Sequence, residues 1–214
     1  ADQISLPDMP EQSPSPQSAD ADTQVAAPPS AERLRAARHG YYAMVSEVDA
    51  YVGRLLDTLD ETGQADNTVV VFTSDHGEWL GEHGKWGKGY PAHDACSRVP
   101  LLISAPGVAG RTLSQLVESV DVLPTLLELA GLPVPTFLQG RSLVPALRGK
   151  SEGRHNALTE HHGWRSLRTD SFRYVAQADG QEELYDLSKP CGAYFDVSSS
   201  FEYKCDLSDL RHQL

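Results

Sequence analysis

The sequence predicts an α/β fold, part of an αβα sandwich followed by a small C-terminal antiparallel-sheet subdomain. Three observations predict it. A helix-periodic stretch over 31–62 leads into the apolar, β-branched run Thr68-Val69-Val70-Val71-Phe72-Thr73, which together make half of an αβ unit. A second such run, residues 99–104, follows a long polar, glycine-rich loop. From about residue 150 the pattern changes to short strand-like pieces at close spacing.

The elements follow in order. Residues 1–30 are rich in Pro, Ser, Ala, Asp and Gln, bury no apolar surface, and read as an extended or disordered linker. Ser30 can cap a helix with Glu32 in its first turn, and Gly63 can end it. Val45, Val48, Val52, Leu55, Leu56 and Leu59 recur at helical spacing, which predicts one buried face. The run 68–73, apolar on both faces, predicts a central strand of a covered parallel sheet. Pro100 confines the next strand to a start or an edge. Asp121 can cap a second helix carrying Leu123, Leu126, Leu127, Leu129 and Ala130, ended by Gly131. Strands over 156–160, 164–169, 172–177 and 183–187 form the small sheet, and 188–214 shows no clear period. The expected units are therefore a linker at 1–30, an α/β portion at 31–150, a small antiparallel unit at 151–187 and a divergent tail at 188–214.

Composition narrows the function classes. With 40% apolar and 22% charged residues the chain is globular, and no run approaches the roughly 18 apolar residues of a membrane span. A formal net charge of −12 removes the basic footprint of a nucleic-acid binder. Three cysteines, Cys96, Cys191 and Cys205, do not make a disulfide framework, although Cys191 and Cys205 could pair in an oxidising compartment. Residues 1–10 show no secretion signal, and the compartment stays open.

The chemistry concentrates at Asp75-His76, directly after the first strand. In open α/β sheets ligands gather outside the carboxyl ends of strands. A hard carboxylate oxygen and a neutral imidazole there suit a metal or a substrate. Taken alone, the pair reads more readily as a turn aspartate beside a surface histidine.

The stretch V-F-T-S-D-H-G-E-W-L-G-E-H-G-K-W-G-K-G, residues 71–89, resembles the second signature region of the sulfatases, within the alkaline-phosphatase-like superfamily. The likeness extends through YYAMVSEVDAYVGRLLDTL, NTVVVFTSDHG, SRVPLLISAPG and VDVLPTLLELAGLP, and ends with LRTDSFRYV and ELYDL, about residues 31–187. The resemblance implies that Asp75 and His76 ligate a divalent metal, Ca²⁺ with Mn²⁺ as the alternative. It implies that Lys88 contacts a sulfate oxygen and the leaving-group side, and an ammonium near a transferring sulfuryl group stabilises negative charge on its oxygens. His93, on the far arm of the loop, is a candidate substrate-binding residue beside Asp94 and Arg98. His161-His162 reads first as a surface pair, with approach to the site from the small sheet as the alternative. Lys85 reads as an ordinary loop lysine, and Glu82 and His83 as parts of a structural turn with permissive Gly81 and Gly84.

The family's nucleophile, a formylglycine made in a C/S-x-P-x-R motif, has no counterpart. Ser5, Ser104 and Ser188 have Pro two residues on, but Met9, Val108 and Gly192 stand where Arg is needed. The family's N-terminal Asp-Asp metal pair is absent as well. The expectation is a C-terminal segment of a sulfuric-ester hydrolase, acting on a sulfate-ester small molecule or sulfated glycan. Its partner would be the N-terminal half of the same protein, which would carry the formylglycine. A phosphonate or phosphodiester hydrolase of the same superfamily and a non-catalytic module that binds an anion or a partner are the alternatives.

Overall fold

The computed structural model describes residues 30–90, 93–150 and 153–214. The linker expected at 1–30 falls, Ser30 apart, outside the described residues. Helix α1 spans Ala31–Glu61. The Ser30 hydroxyl accepts from Arg33 N at 3.3 Å. At the other end Gly63 takes φ 67°, while Gly63 N and Gln64 N reach back to Asp60 O and Leu59 O. That paired closure uses the left-handed backbone only glycine adopts cheaply.

Strand β1, Val70–Thr73, and strand β2, Leu101–Ser104, form a two-stranded sheet. The expected covered parallel strand is corrected here. The two strands pair antiparallel, Val70 opposite Ser104 and Thr73 opposite Leu101, and Phe72 and Leu102 are exposed. The buried face expected of α1 is also corrected: Val45, Val48, Leu55 and Leu56 are exposed, and only Arg38 on the helix is buried. Periodicity specified which residues share a face, and nothing in the described chain covers it.

Short helix α2, Asp94–Ser97, precedes β2, and helices α3, Val122–Leu129, and α4, Val144–Leu147, follow it. Asp121 does not cap α3 with its side chain. A 3₁₀ turn over Ser119–Asp121 starts one turn earlier, with Glu118 and Asp121 forming the capping box. The Asp121 carboxylate, fully buried, also accepts from Arg141 N at 2.6 Å and from the Arg154 guanidinium. Helix α3 buries Pro124 and Thr125, whereas Leu123 faces out.

The small sheet matches its expected strands. β3 Asn156–His161, β4 Trp164–Thr169, β5 Phe172–Gln177 and β6 Glu182–Asp186 form an antiparallel meander in that order. The tail, for which the sequence shows no period, ends in helix α5, Lys204–Gln213. Leu207 and Leu210 of α5 pack on Leu167, Tyr174 and Leu184. The other face of the sheet carries Trp164, Val175 and Tyr185, packed on Tyr90 of the long loop. Among the described residues, no helix is long and apolar enough to cross a membrane.

Candidate active site

The loop between β1 and β2 holds the candidate residues. Gly77 lets it pass close to α2: its N–H donates to Cys96 O at 2.7 Å, and a Cβ there would lie 2.0 Å from Ala95 O. This fixes the two residues before it. The Ser74 hydroxyl donates to His76 O at 2.8 Å, and His76 N donates to Asp75 Oδ1 at 2.9 Å. That backbone N–H holds the Asp75 carboxyl below the usual range, so the group is an anion at neutral pH. Its side chain is 85% exposed, on the wall of an open cleft of about 1740 Å³.

The His76 tautomer follows from its neighbours. Lys88 Nζ lies 3.1 Å from His76 Nε2, and an ammonium can only donate. Nε2 is therefore the acceptor, and Nδ1 carries the hydrogen that goes to Gly77 O at 2.8 Å. An imidazole anchored through Nδ1–H presents Nε2 in the form a metal ligand needs. Asp75 Oδ2 stands 3.5 Å from the same Nε2. Asp75, His76 and Lys88 thus converge at one point of the cleft. A hard anionic oxygen and an imidazole nitrogen fit a divalent cation as part of its shell. Among the described residues no group of three or more His, Cys, Asp or Glu could complete that shell.

The loop's own anchors return Lys88 to this point. Gly87 N donates to Glu78 Oε1 at 2.5 Å, and Trp79 N donates to Gly87 O at 2.9 Å. Lys85, expected as a loop lysine, is instead buried: it donates to Tyr90 O at 2.7 Å and lies over the Trp79 and Tyr90 rings. Glu82 and His83, expected as parts of a structural turn, both contact the tail. Glu82 accepts from the Tyr194 hydroxyl at 2.8 Å, and His83 stacks between Tyr194 and His93.

His93 stands apart from the other three candidates. It is 3% exposed, packed against His83, Trp79 and Tyr185, and borders a small pocket of about 120 Å³ rather than the open cleft. Burial pushes its pKa well down, which keeps the ring neutral. Asp94 beside it pairs with Arg173 at 2.5 Å and Arg168 at 3.4 Å. Burial alone would raise the Asp94 pKa, but the two guanidinium groups hold it below the usual range. His161 and His162, with rings 4.1 Å apart, line the cleft together with Asp75, His76 and Lys88. The three thiols are unpaired, and burial raises Cys96 to about 11, which leaves it an inert thiol. Sequence reasoning missed Glu78 and the partners of Asp94, because no local pattern marks a carboxylate whose partner lies across a loop or on a distant strand.

Comparison with known proteins gives the following. A family model described as Sulfatase matches residues 8–132, and one described as N-sulphoglucosamine sulphohydrolase, C-terminal, matches 81–214. The second match runs through the tail, beyond residue 187 where the sequence likeness stopped. Arylsulfatase K of Danio rerio is 38% identical over 197 residues, covering 84% of this chain and 37% of that protein. The phosphonate monoester hydrolase SpPMH from Silicibacter pomeroyi superposes with a TM-score of 0.78 at 32% identity, over 85% of this chain and 40% of that one. BT4656, solved in complex with its substrate D-glucosamine-2-N,6-O-disulfate, gives 0.74 at 33% identity, over 81% and 38%. The chain spans about two fifths of the length of the relatives it matches.

Proposed function

The chain belongs to the sulfatase family, and on that premise we propose that it supplies one wall of the active site of a metal-dependent sulfuric-ester hydrolase. The observation that carries this reading is the convergence of Asp75 Oδ2, His76 Nε2 and Lys88 Nζ within 3.5 Å contacts at the end of β1. Asp75 and His76 would be two ligands of a divalent cation, Ca²⁺ by family resemblance and Mn²⁺ as the alternative. When bound, such a cation polarises a sulfuryl oxygen and lowers the pKa of a coordinated nucleophile.

The chain's own residues do the rest. Asp75 supplies the anionic oxygen. Gly77 O holds the His76 ring by Nδ1–H. Nε2 has a single lone pair, so Lys88 and a cation compete for it. Once Lys88 leaves His76, it donates to an anionic substrate oxygen and stabilises charge that develops on the transferred group. His93 would act from behind the pocket wall rather than on it. The nucleophile, expected as formylglycine, and the remaining metal ligands would come from residues outside this chain, since no C/S-x-P-x-R motif occurs in its 214 residues. The open apolar stripe of α1 is a fitting seat for that part of the protein.

A sulfated glycan is the substrate class favoured here, because BT4656 binds a disulfated glucosamine. The likeness to SpPMH supports a second reading, phosphonate monoester hydrolysis at the same three residues. The test is turnover by the full-length protein of a sulfated glucosamine, an aryl sulfate and a phosphonate monoester, alongside its metal content. Preferred turnover of the phosphonate would transfer the assignment to the second reading. Absence of bound metal and of turnover on all three would leave a binding module and sink both.

A further inference from the structure

The small sheet does more than pack behind the loop. Side chains on a strand alternate between faces. On β5 and β6, Tyr174, Glu182 and Leu184 face α5, while Arg173, Val175, Gln177, Glu183 and Tyr185 face the loop. On the loop face the polar groups meet at Tyr90. Glu183 Oε1 accepts from the Tyr90 hydroxyl, Gln177 Nε2 donates to the same hydroxyl at 2.6 Å, and the Tyr185 hydroxyl takes the other Glu183 oxygen at 2.5 Å. Burial, then the Glu183 carboxylate, raises the Tyr90 pKa far above its ordinary value, so the phenol stays a donor. Tyr90 is 5% exposed, and its carbonyl is held by Lys85.

Tyr90 is two residues from Lys88. On the other side of Lys88, Gly87 is held at both its N–H and its carbonyl, by Glu78 Oε1 and Trp79 N. Lys88 is thus the exposed residue between two clamps. The intervening backbone is pliable, with Gly87 at φ 74° and Gly89 at φ 115°, so the clamps rather than local stiffness fix where the side chain starts.

We infer that Glu183, acting through Tyr90, and Glu78, acting through Gly87, are positioning residues for Lys88, and that the small antiparallel sheet thereby sets the place of the Lys88 ammonium in the cleft. This rests on the reading of Lys88 as the sulfuryl-binding group. The physical requirement is precision. A lysine head on a flexible four-carbon stem gains little from its own rotamers, and a displacement of about 1 Å at a reacting centre can cost roughly 10²-fold in rate.

The test uses the full-length protein and compares the two faces of the sheet. Glu182, on the opposite face, bonds Tyr174 at 2.5 Å and pairs with Arg211. Glu182→Ala matches Glu183→Ala in kind while leaving Tyr90 untouched. The expected result is that Glu183→Ala and Glu78→Ala lower kcat about 10-fold or more, with a smaller change in KM. Glu183→Gln, which keeps an acceptor for Tyr90, recovers part of the loss, and Glu182→Ala changes only the melting temperature. Tyr90→Phe deletes one hydroxyl and reports on the same clamp if Glu183→Ala does not fold. Loss of kcat in Glu183→Ala and Tyr90→Phe no greater than in Glu182→Ala overturns the inference. An unaltered kcat in Lys88→Ala overturns both it and the reading on which it rests.

Discussion

The two ends of this chain treat their apolar residues in opposite ways. The small sheet and α5 bury theirs against one another: Leu184 is 0% exposed, Tyr174 2% and Leu210 4%. Helix α1, with the better helical periodicity, leaves Leu55 67% and Val48 52% exposed. The difference shows that a regular apolar stripe specifies a face without supplying its cover. One face of the sheet closes on α5, whereas α1 presents its apolar stripe outward and the cleft beside Asp75, His76 and Lys88 stays open. The candidate residues therefore adjoin surface that the described chain leaves uncovered, and the closed packing lies between the sheet and α5.

The largest expected effect separates activity from stability on the open side. If Asp75 is a ligand of the proposed cation, Asp75→Ala in the full-length protein should lower turnover on the order of 10³-fold and reduce bound metal. Asp75 is exposed and anchored only locally, so stability should change by less than about 0.5 kcal/mol. Unchanged turnover with full metal content would remove Asp75 from the site.

Next in size is the contrast in packing. Leu184→Ala should destabilise the 214-residue chain by about 3 kcal/mol, since it opens a cavity in a closed cluster. Leu55→Ala should cost less than about 0.5 kcal/mol in the same chain and more in the full-length protein if, as proposed, the stripe is covered there. Urea unfolding of both variants in both contexts measures this. Equal costs for Leu55→Ala in the two contexts would mean that the stripe stays open.

What was legible in the sequence divides along physical range. The caps of α1 at Ser30 and Gly63 and the four strands of the meander follow from neighbours a few residues apart, and they stand where expected. One loop also brings Asp75, His76 and Lys88 within 3.5 Å contacts of one another. Pairing over long separations was not legible. The run at Val70–Thr73 could not announce an antiparallel partner at Leu101–Ser104. Nor could Asp121 announce Arg154, which shares its carboxylate with the capping box at Glu118. Helix α5 escaped notice because it buries only Leu207 and Leu210 among polar residues, too few to register as a period. His93 was read from its place on the loop as a pocket residue, yet stacking on His83 and an edge contact with Tyr185 hold it inside.

The smallest effect sits on the seam between the two regions. His83 stacks at 4.0 Å on Tyr194 of the tail and at 4.3 Å on His93. Burial, and then Lys85 and Arg173, lower its pKa from 6.5 to about 4. The folded value lies below the unfolded one, so between them the unfolded chain binds more protons. Stability from this group is complete above about pH 6.5 and is lost as pH falls toward 4, by roughly 1–3 kcal/mol in all. His83→Asn removes the titration and tolerates the residue's φ of 53°. Urea unfolding at pH 4, 5, 6 and 7 should then show a lower but flatter stability across that window. The carboxylates that tie the regions together, Asp94 and Asp121, have depressed pKa values, so their contribution is present above the ordinary aspartate range near pH 4 and is lost only below it. The two windows do not overlap. A slope between pH 6.5 and 4 that survives His83→Asn would therefore point to His93, buried deeper in the same stack, rather than to the ion pairs.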